Sequence, residues 1–254
     1  MDVEVFLTSS NVEEDDVKGR TAIVIDVLRA CSTISTALKN GARAVVPVLD
    51  MAQAGKIASN LDRSVYRLGG ERGGEKIEGY DLGNSPLEYT EEVVSGRDII
   101  LNTTNGTKAL ARARSAKHLI AGSLLNASRV IDFVNEAETG VTIICAGRED
   151  RISLEDTLCA GLLLHRLWDG AEPEHTSDAA HAAHTQYLHD QNDIGALLRR
   201  CNHARRLIDA GFGDDVDYCL TIDALPVLPY YTDNRLILYE EVVSSSPPKS
   251  ISSN

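Results

Sequence analysis

The chain predicts a three-layer α/β fold on a largely parallel, mixed sheet, and three observations carry that expectation. Short runs rich in Val and Ile alternate with helix-patterned segments along most of the 254 residues. Those runs are apolar at nearly every position, as strands covered on both faces must be. With 43% hydrophobic residues, the length suffices for one sizeable core. Residues 1–243 are expected to form a single α/β domain, as one body or two packed lobes, and residues 244–254, SSSPPKSISSN, a disordered tail.

The elements follow in order. TAIVIDV (21–27) reads as a strand and STISTALKNG (32–41) as its helix; ARAVVPVL (42–49) is followed by MAQAGKIASNL (51–61). RDIILNT (97–103) precedes GTKALARARS (106–115), HLIAGSL (118–124) precedes NASRVIDFVNEA (126–137), and VTIICAG (141–147) precedes SLEDTLCAGLLLHRLW (153–168). Residues 169–195 turn polar and Ala/His-rich, the composition of a helical excursion or lid. ALLRRCNHARRLIDAG (196–211) reads as a helix, and DVDYCLTIDALPVLPYY (215–231) and RLILYEEV (235–242) as late strands.

The formal charge of −13 argues against nucleic-acid and membrane-surface binding, both of which favour basic faces. No apolar run reaches spanning length and the N-terminus lacks a basic, then apolar leader, so a cytoplasmic protein is expected. Cys31, Cys145, Cys159, Cys201 and Cys219 are odd in number, widely spaced and set in apolar stretches, which suits reduced core thiols. His175, His181, His184 and His189 lie in the Ala-rich stretch without a Glu or Cys to complete a zinc pattern, and read as part of a solvated helix.

Chemistry concentrates where strands end. Asp26 leaves the carboxyl end of a buried strand and Arg29 follows, the place where α/β sheets bind ligands; the plainer alternative is an Asp that ends its strand paired with Arg29. Spacing weakens two covalent readings. Cys31 has Ala37, not Arg, six residues on, and Asp26 has Leu28, not Asp, two residues on. In NTTNGTKAL, the amides around Asn105, Gly106 and Thr107, with the hydroxyls of Thr103, Thr104 and Thr107, suit an anion, unless the segment is simply an Asn-Gly turn. Ser153 and Asp156 resemble a capping box, yet Glu155 and Asp156 also sit where oxygen ligands for a hard cation are useful.

The stretch GGERGGEKIEGYDLGNSP (69–86) holds six glycines and opposes its own ordering unless something fixes it. Ser85, Pro86 and Glu88 read as a helix start with a capping box, which leaves Glu71, Arg72, Asp81 and Asn84 without a structural task. Arg72 offers a fork of donors to an anion and Glu71 a metal ligand.

These segments together resemble the 2-phosphosulfolactate phosphatase family. VIDVLRACSTI, GGERGGEKIEGYDLGNSP, NTTNGTKAL, CAGREDRISLEDTLCAG and DVDYCLTIDALPVLP carry the resemblance, which spans about residues 3 to 232. It implies a Mg²⁺-dependent hydrolysis of 2-phospho-3-sulfolactate to 3-sulfolactate and phosphate, towards coenzyme M or related sulfonates. Glu149, Asp150 and Arg151 depart from the more glycine-containing turn expected there. Physical inference then places Mg²⁺ on Asp26 with Glu71, Glu155 and Asp156. Arg29, Arg72, Asn84, Thr104, Asn105, Gly106 and Thr107 are assigned to the anionic substrate, with the glycine loop wrapping its non-reacting end. Direct attack by water and a phospho-aspartyl intermediate both stay open. The alternatives are a phosphatase for another small phosphorylated hydroxy acid, or a module that binds an anionic metabolite without turning it over; a homodimer is the base-rate assembly.

Overall fold

The computed structural model describes residues 2–169, 173 and 176–240. The expected tail and His175 lie outside them. The strands are β1 (Val3–Phe6), β2 (Thr21–Ile25), β3 (Ala44–Pro47), β4 (Tyr66–Arg72), β5 (Glu75–Lys76), β6 (Asp98–Asn102), β7 (His118–Gly122), β8 (Val141–Cys145), β9 (Pro229–Thr232) and β10 (Arg235–Leu238). The helices are α1 (Ala30–Lys39), α2 (Met51–Ala58), α3 (Glu91–Val94), α4 (Gly106–Arg112), α5 (Ala127–Ala137), α6 (Leu154–Leu167), α7 (Asp178–Asp190), α8 (Ile194–Arg199), α9 (Asn202–Asp209) and α10 (Gly213–Cys219).

The strands join in one mixed sheet, in the order β1-β8-β2-β7-β9-β10-β3-β6-β4-β5. Alternate residues of β2 feed different layers. Ile23 and Ile25 pack with α5 and α6, while Ala22 and Val24 pack with α1 and α4. That two-sided burial makes the expected three-layer fold, and it is why the strands lack an apolar/polar alternation.

The sheet contains two parallel blocks. β1, β8, β2 and β7 form one; β3, β6 and β4 form the other. Between them stands the β9–β10 hairpin, closed by Asp233 and Asn234, both at positive φ as a two-residue mirror-image turn requires. β9 is antiparallel to β7 and β10 antiparallel to β3, so the two blocks run in opposite directions along the ladder. Their carboxyl ends still meet at one cavity, and α1 touches β7, the hairpin and β3 across the junction.

α1 tolerates that central position because it is thin and self-satisfied. Every residue from Ala30 to Leu38 is buried. The hydroxyls of Ser32, Ser35 and Thr36 donate to the Val27, Cys31 and Ser32 carbonyls, and Thr33 donates to the Asn84 carbonyl, so none is left unpaired in the core.

Four local expectations are corrected. Residues 213–219 form helix α10 rather than a strand: Asp214 and Asp215 sit in its first turn, where the helix dipole favours acids. The expected helix at 196–211 is two, α8 and α9, parted at Cys201, whose sulfur accepts the Ala204 N–H as an N-cap. Pro86–Glu88 is a single 3₁₀ turn without the capping box; Ser85 Oγ donates to Asp215 instead, and Glu88 accepts the Gly83 N–H. α7 is not solvated throughout, since Ala180, Ala183, His184 and Tyr187 are buried against α6. The expected excursion is helical, and no residue of α7 lines the cavity described below.

Gly161 permits that helix pair. A Cβ there would lie 2.2 Å from the Ala183 carbonyl oxygen and 2.6 Å from Tyr187 Cβ. Alanine gains about 1 kcal/mol of helix propensity, but forcing the two backbones apart costs about 1–3 kcal/mol. Gly161→Ala is therefore expected to lower the urea midpoint with kcat unchanged; a raised midpoint contradicts the close packing.

Candidate active site

Loops from both parallel blocks enclose a cavity of about 150 Å³. Asp26, Arg29, Glu71, Asn84, Thr104 and Asn105 line it, together with Gly73, Gly74, Arg148, Glu149, His203 and Arg206. The structure thus gathers six of the residues singled out in the sequence. Arg72, Gly106, Thr107, Glu155 and Asp156 do not line this cavity.

Asp26 stands at its floor. The Ala30 N–H donates to Oδ1 at 3.0 Å, while Oδ2 has no donor among the described residues. Burial pushes the Asp26 pKa up from 3.8 to about 6; the Ala30 N–H and His203 oppose the rise, and the charges of Glu71 and Glu155 add to it. Behind it, Asp156 takes the Val27 N–H on Oδ1 (2.9 Å) and the Gly147 N–H on Oδ2 (3.2 Å). The capping box expected from Ser153 and Asp156 is absent, because Asp156 ties the ends of β2 and β8 together. Burial, then the nearby Asp26 and Glu155 charges, hold the Asp156 pKa well above the carboxylate range.

Gly106 is small for the sake of Asp26. A Cβ at Gly106 would sit 2.7 Å from Asp26 Oδ2 and 2.5 Å from Ala30 Cβ. In the same turn, the Thr104 N–H and Oγ1 donate to Glu71, and Thr107 bonds to Thr103 through both its N–H and its hydroxyl. Half of the expected anion-binding donors are therefore spent on the protein itself.

The glycine-rich stretch divides in two. Gly69 and Gly70 belong to β4, where a Cβ would meet Tyr89 Oη at 2.2 Å or the Asn102 carbonyl oxygen at 2.1 Å, so they serve close sheet packing. Gly73 and Gly74, at φ +64° and +96°, make the turn that reaches the cavity, and Glu71 fastens it by accepting the Gly74 N–H. Asp81 has a structural task after all: it pairs with Arg63 and accepts the Leu68 N–H. Arg72 donates to Asn102 Oδ1 and the Glu71 carbonyl, pinning β4 to the end of β6. Asn84 differs, because its buried Oδ1 has no partner among the described residues. A ligand with a donor or, with the amide turned, an acceptor would satisfy it.

Arg29 is held from three sides. It ion-pairs with Asp215 at 2.5 Å, donates to the Gly74 carbonyl and stacks 4.3 Å over the Phe212 ring. Glu155 turns away from the Asp26 carboxylate towards His203, whose Nδ1 lies 2.7 Å from Oε1; Ser153 Oγ and Cys201 Sγ complete its partners. Burial alone would raise the Glu155 pKa, but the His203 and Ser153 bonds outweigh it and hold Glu155 below the usual value.

Sequence reasoning missed His203, Arg206 and Asp215, all on the segment from α9 to α10. The charged face of RRCNHARR was the available signal, but nothing local shows that it turns towards the strand ends.

A match over residues 6–234 to the family described as 2-phosphosulpholactate phosphatase includes every residue of this cavity. The chain belongs to that family. Among curated relatives, that of Caldanaerobacter subterraneus subsp. tengcongensis is 39% identical over 229 residues, covering 90% of this chain and 95% of its own. That of Symbiobacterium thermophilum is 41% identical, covering 89% and 97%, and that of Thermotoga maritima 41%, covering 88% and 94%. All three are named probable 2-phosphosulfolactate phosphatase. Among the described residues of this family member, no helix is long and apolar enough to cross a membrane.

Whether a hard cation fits this 2-phosphosulfolactate phosphatase-family site turns on its donors. Among the described residues, no three His, Cys, Asp or Glu side chains form a ready ligand set. Mg²⁺ does not require one, since it commonly takes one or two carboxylates and completes its shell with water and substrate phosphate. The donor-free Oδ2 of Asp26, crowded by other carboxylates, fits that pattern.

A stability prediction follows for protein kept metal-free with chelator. Asp26 binds its proton more tightly when folded, so its contribution is present below pH 3.8 and lost as pH rises through about 6. The loss is about 3 kcal/mol at 1.36 kcal/mol per pKa unit. Glu155 works the other way, stabilising above its unfolded pKa of 4.5 and losing that as pH falls through its lower folded value. Thermal melts in chelator are expected to drop between about pH 4 and 6, the interval from the unfolded to the folded Asp26 value, and Mg²⁺ to flatten the drop; identical curves would remove Asp26 as a cation site.

Proposed function

We propose that this protein is a cytoplasmic Mg²⁺-dependent phosphatase that hydrolyses 2-phospho-3-sulfolactate to 3-sulfolactate and phosphate, on a route to coenzyme M or related sulfonates. One observation carries the chemistry: among the described residues Asp26 Oδ2 has no donor, and the cavity it lines also presents Arg29, the Asn84 Oδ1 without a partner and His203.

Asp26, with Glu71 beside it, would hold the cation. When bound, Mg²⁺ supplies Lewis-acid neutralisation of the phosphoryl oxygens. Arg29 has guanidinium N–H groups beyond the two used on Asp215 and Gly74, and these donate to the transferring phosphoryl group. Asn84 and the Asn105 amide fix its orientation. His203, anchored by Glu155 through one ring nitrogen, delivers a proton from the other to the departing alkoxide oxygen. Asp156 holds the ends of β2 and β8 in place beneath them.

The test is phosphate release from 2-phosphosulfolactate, 2-phospholactate and phosphoglycolate, with Mg²⁺ and after chelation. Metal-dependent turnover selective for the sulfonated compound is expected. Equal turnover of all three would keep the phosphatase and remove its specificity. No turnover, with a raised melting temperature on adding the compound, would leave a binding module.

A further inference from the structure

The arginines around the cavity are not equivalent. Arg29 is buried and its charge is matched by buried Asp215. Arg72 lies outside the lining. Arg148 and Arg206 line both the cavity and a neighbouring groove of about 820 Å³, and they share a single carboxylate. Glu149 Oε1 lies 2.7 Å from Arg148 Nη2 and 3.9 Å from Arg206 Nη1.

The backbone explains this placement. Arg148 and Arg151 exchange two N–H to carbonyl bonds of 2.9 Å, and the residues between them, Glu149 and Asp150, take φ of +52° and +60°. This is a tight mirror-image turn, which fixes Arg148 at the rim. Glu149 is tied only loosely: its side chain is 63% exposed, and exposed ion pairs are screened and readily broken.

We propose that Arg148 and Arg206 form the subsite for the sulfonate of the substrate, and that Glu149 occupies those guanidiniums until the sulfonate displaces it. This rests on the phosphatase reading above. A sulfonate stays charged at every physiological pH and cannot settle beside Asp26 and Glu71. At the rim, two guanidinium forks share an exposed carboxylate, and three sulfonate oxygens can accept from both. A substrate without the sulfonate leaves Glu149 in place and gains nothing from the pair. Displacing Glu149 costs the sulfonated substrate alone, so the acidic residue lowers its affinity and narrows the preference that the two arginines set.

The decisive experiment compares kcat and KM for 2-phosphosulfolactate and 2-phospholactate in the wild type, Arg206→Ala, Arg148→Lys and Glu149→Gln. Arg206 is mostly exposed, and Arg148→Lys retains the rim charge while removing the fork. Arg206→Ala is expected to raise KM for the sulfonated substrate about tenfold or more, the loss of one charge-assisted contact, with little change for 2-phospholactate. Arg148→Lys should shift KM in the same direction, and Glu149→Gln should lower it for the sulfonated substrate only. Equal KM shifts for both substrates, or changes confined to kcat, overturn the subsite. Calorimetric binding of 3-sulfolactate separates the two readings. If the wild type releases no phosphate, the phosphatase reading falls, while loss of 3-sulfolactate binding in Arg206→Ala still supports the subsite and retained binding overturns it.

Discussion

Asp26→Asn is expected to abolish phosphate release and to yield a protein that melts higher than the metal-free wild type. The two effects share a cause. Asp26 is buried beside Asp156 with Glu71 and Glu155 close enough to raise its pKa, so its negative charge is costly in the absence of a cation. Asparagine keeps an oxygen for the Ala30 N–H and removes the repulsion. It also removes the anionic oxygen that would hold Mg²⁺. Losing several kcal/mol of transition-state stabilisation corresponds to about a thousandfold or more in rate. Phosphate release and calorimetric melting in chelator check both halves. Retained turnover would sink the Asp26 assignment. A lower melting temperature would mean that the carboxylate holds the loop rather than a cation.

His203→Asn is expected to lower kcat by about a hundred- to ten-thousandfold, the usual worth of general acid–base catalysis, and to leave KM within a few-fold. The choice of asparagine matters. Its amide can still donate to Glu155 Oε1 as His203 Nδ1 does, so α9 stays anchored while the transferable proton disappears. An aryl phosphate provides the control, since its leaving group departs without being protonated. A large loss on 2-phosphosulfolactate with a small one on the aryl ester identifies proton delivery. Equal losses would make His203 a positioning residue. Glu155→Gln should reproduce part of the defect, because it removes the charge that orients the imidazole.

The local chemistry was more legible than the long-range partners. TAIVIDV announced both β2 and the strand-end Asp26, because a buried strand shows its apolar run and its exit in consecutive residues. The GREDRI turn was visible as a departure from the resemblance, although its two positive φ values were not. Gly69 and Gly70 misled, since a glycine in an irregular-looking stretch gives no sign that a tyrosine hydroxyl or a carbonyl of another strand lies where its Cβ would be. The same limit hid Ser85, which capped nothing and served Asp215, a residue 130 positions away.

By itself, then, the sequence determined the α/β class, the two-sided burial of the strands, and the clustering of carboxylates and anion-friendly turns at strand ends. These depend on periodicity and on neighbours within a few residues. Only the tertiary structure decided that two opposed parallel blocks bring those ends to one cavity. It also gave Glu155 to His203, Arg29 to Asp215 and the cavity rim to Arg148 and Arg206. Each of those pairings closes a long loop through the core, and the side chains that form it carry no local pattern to announce the partner.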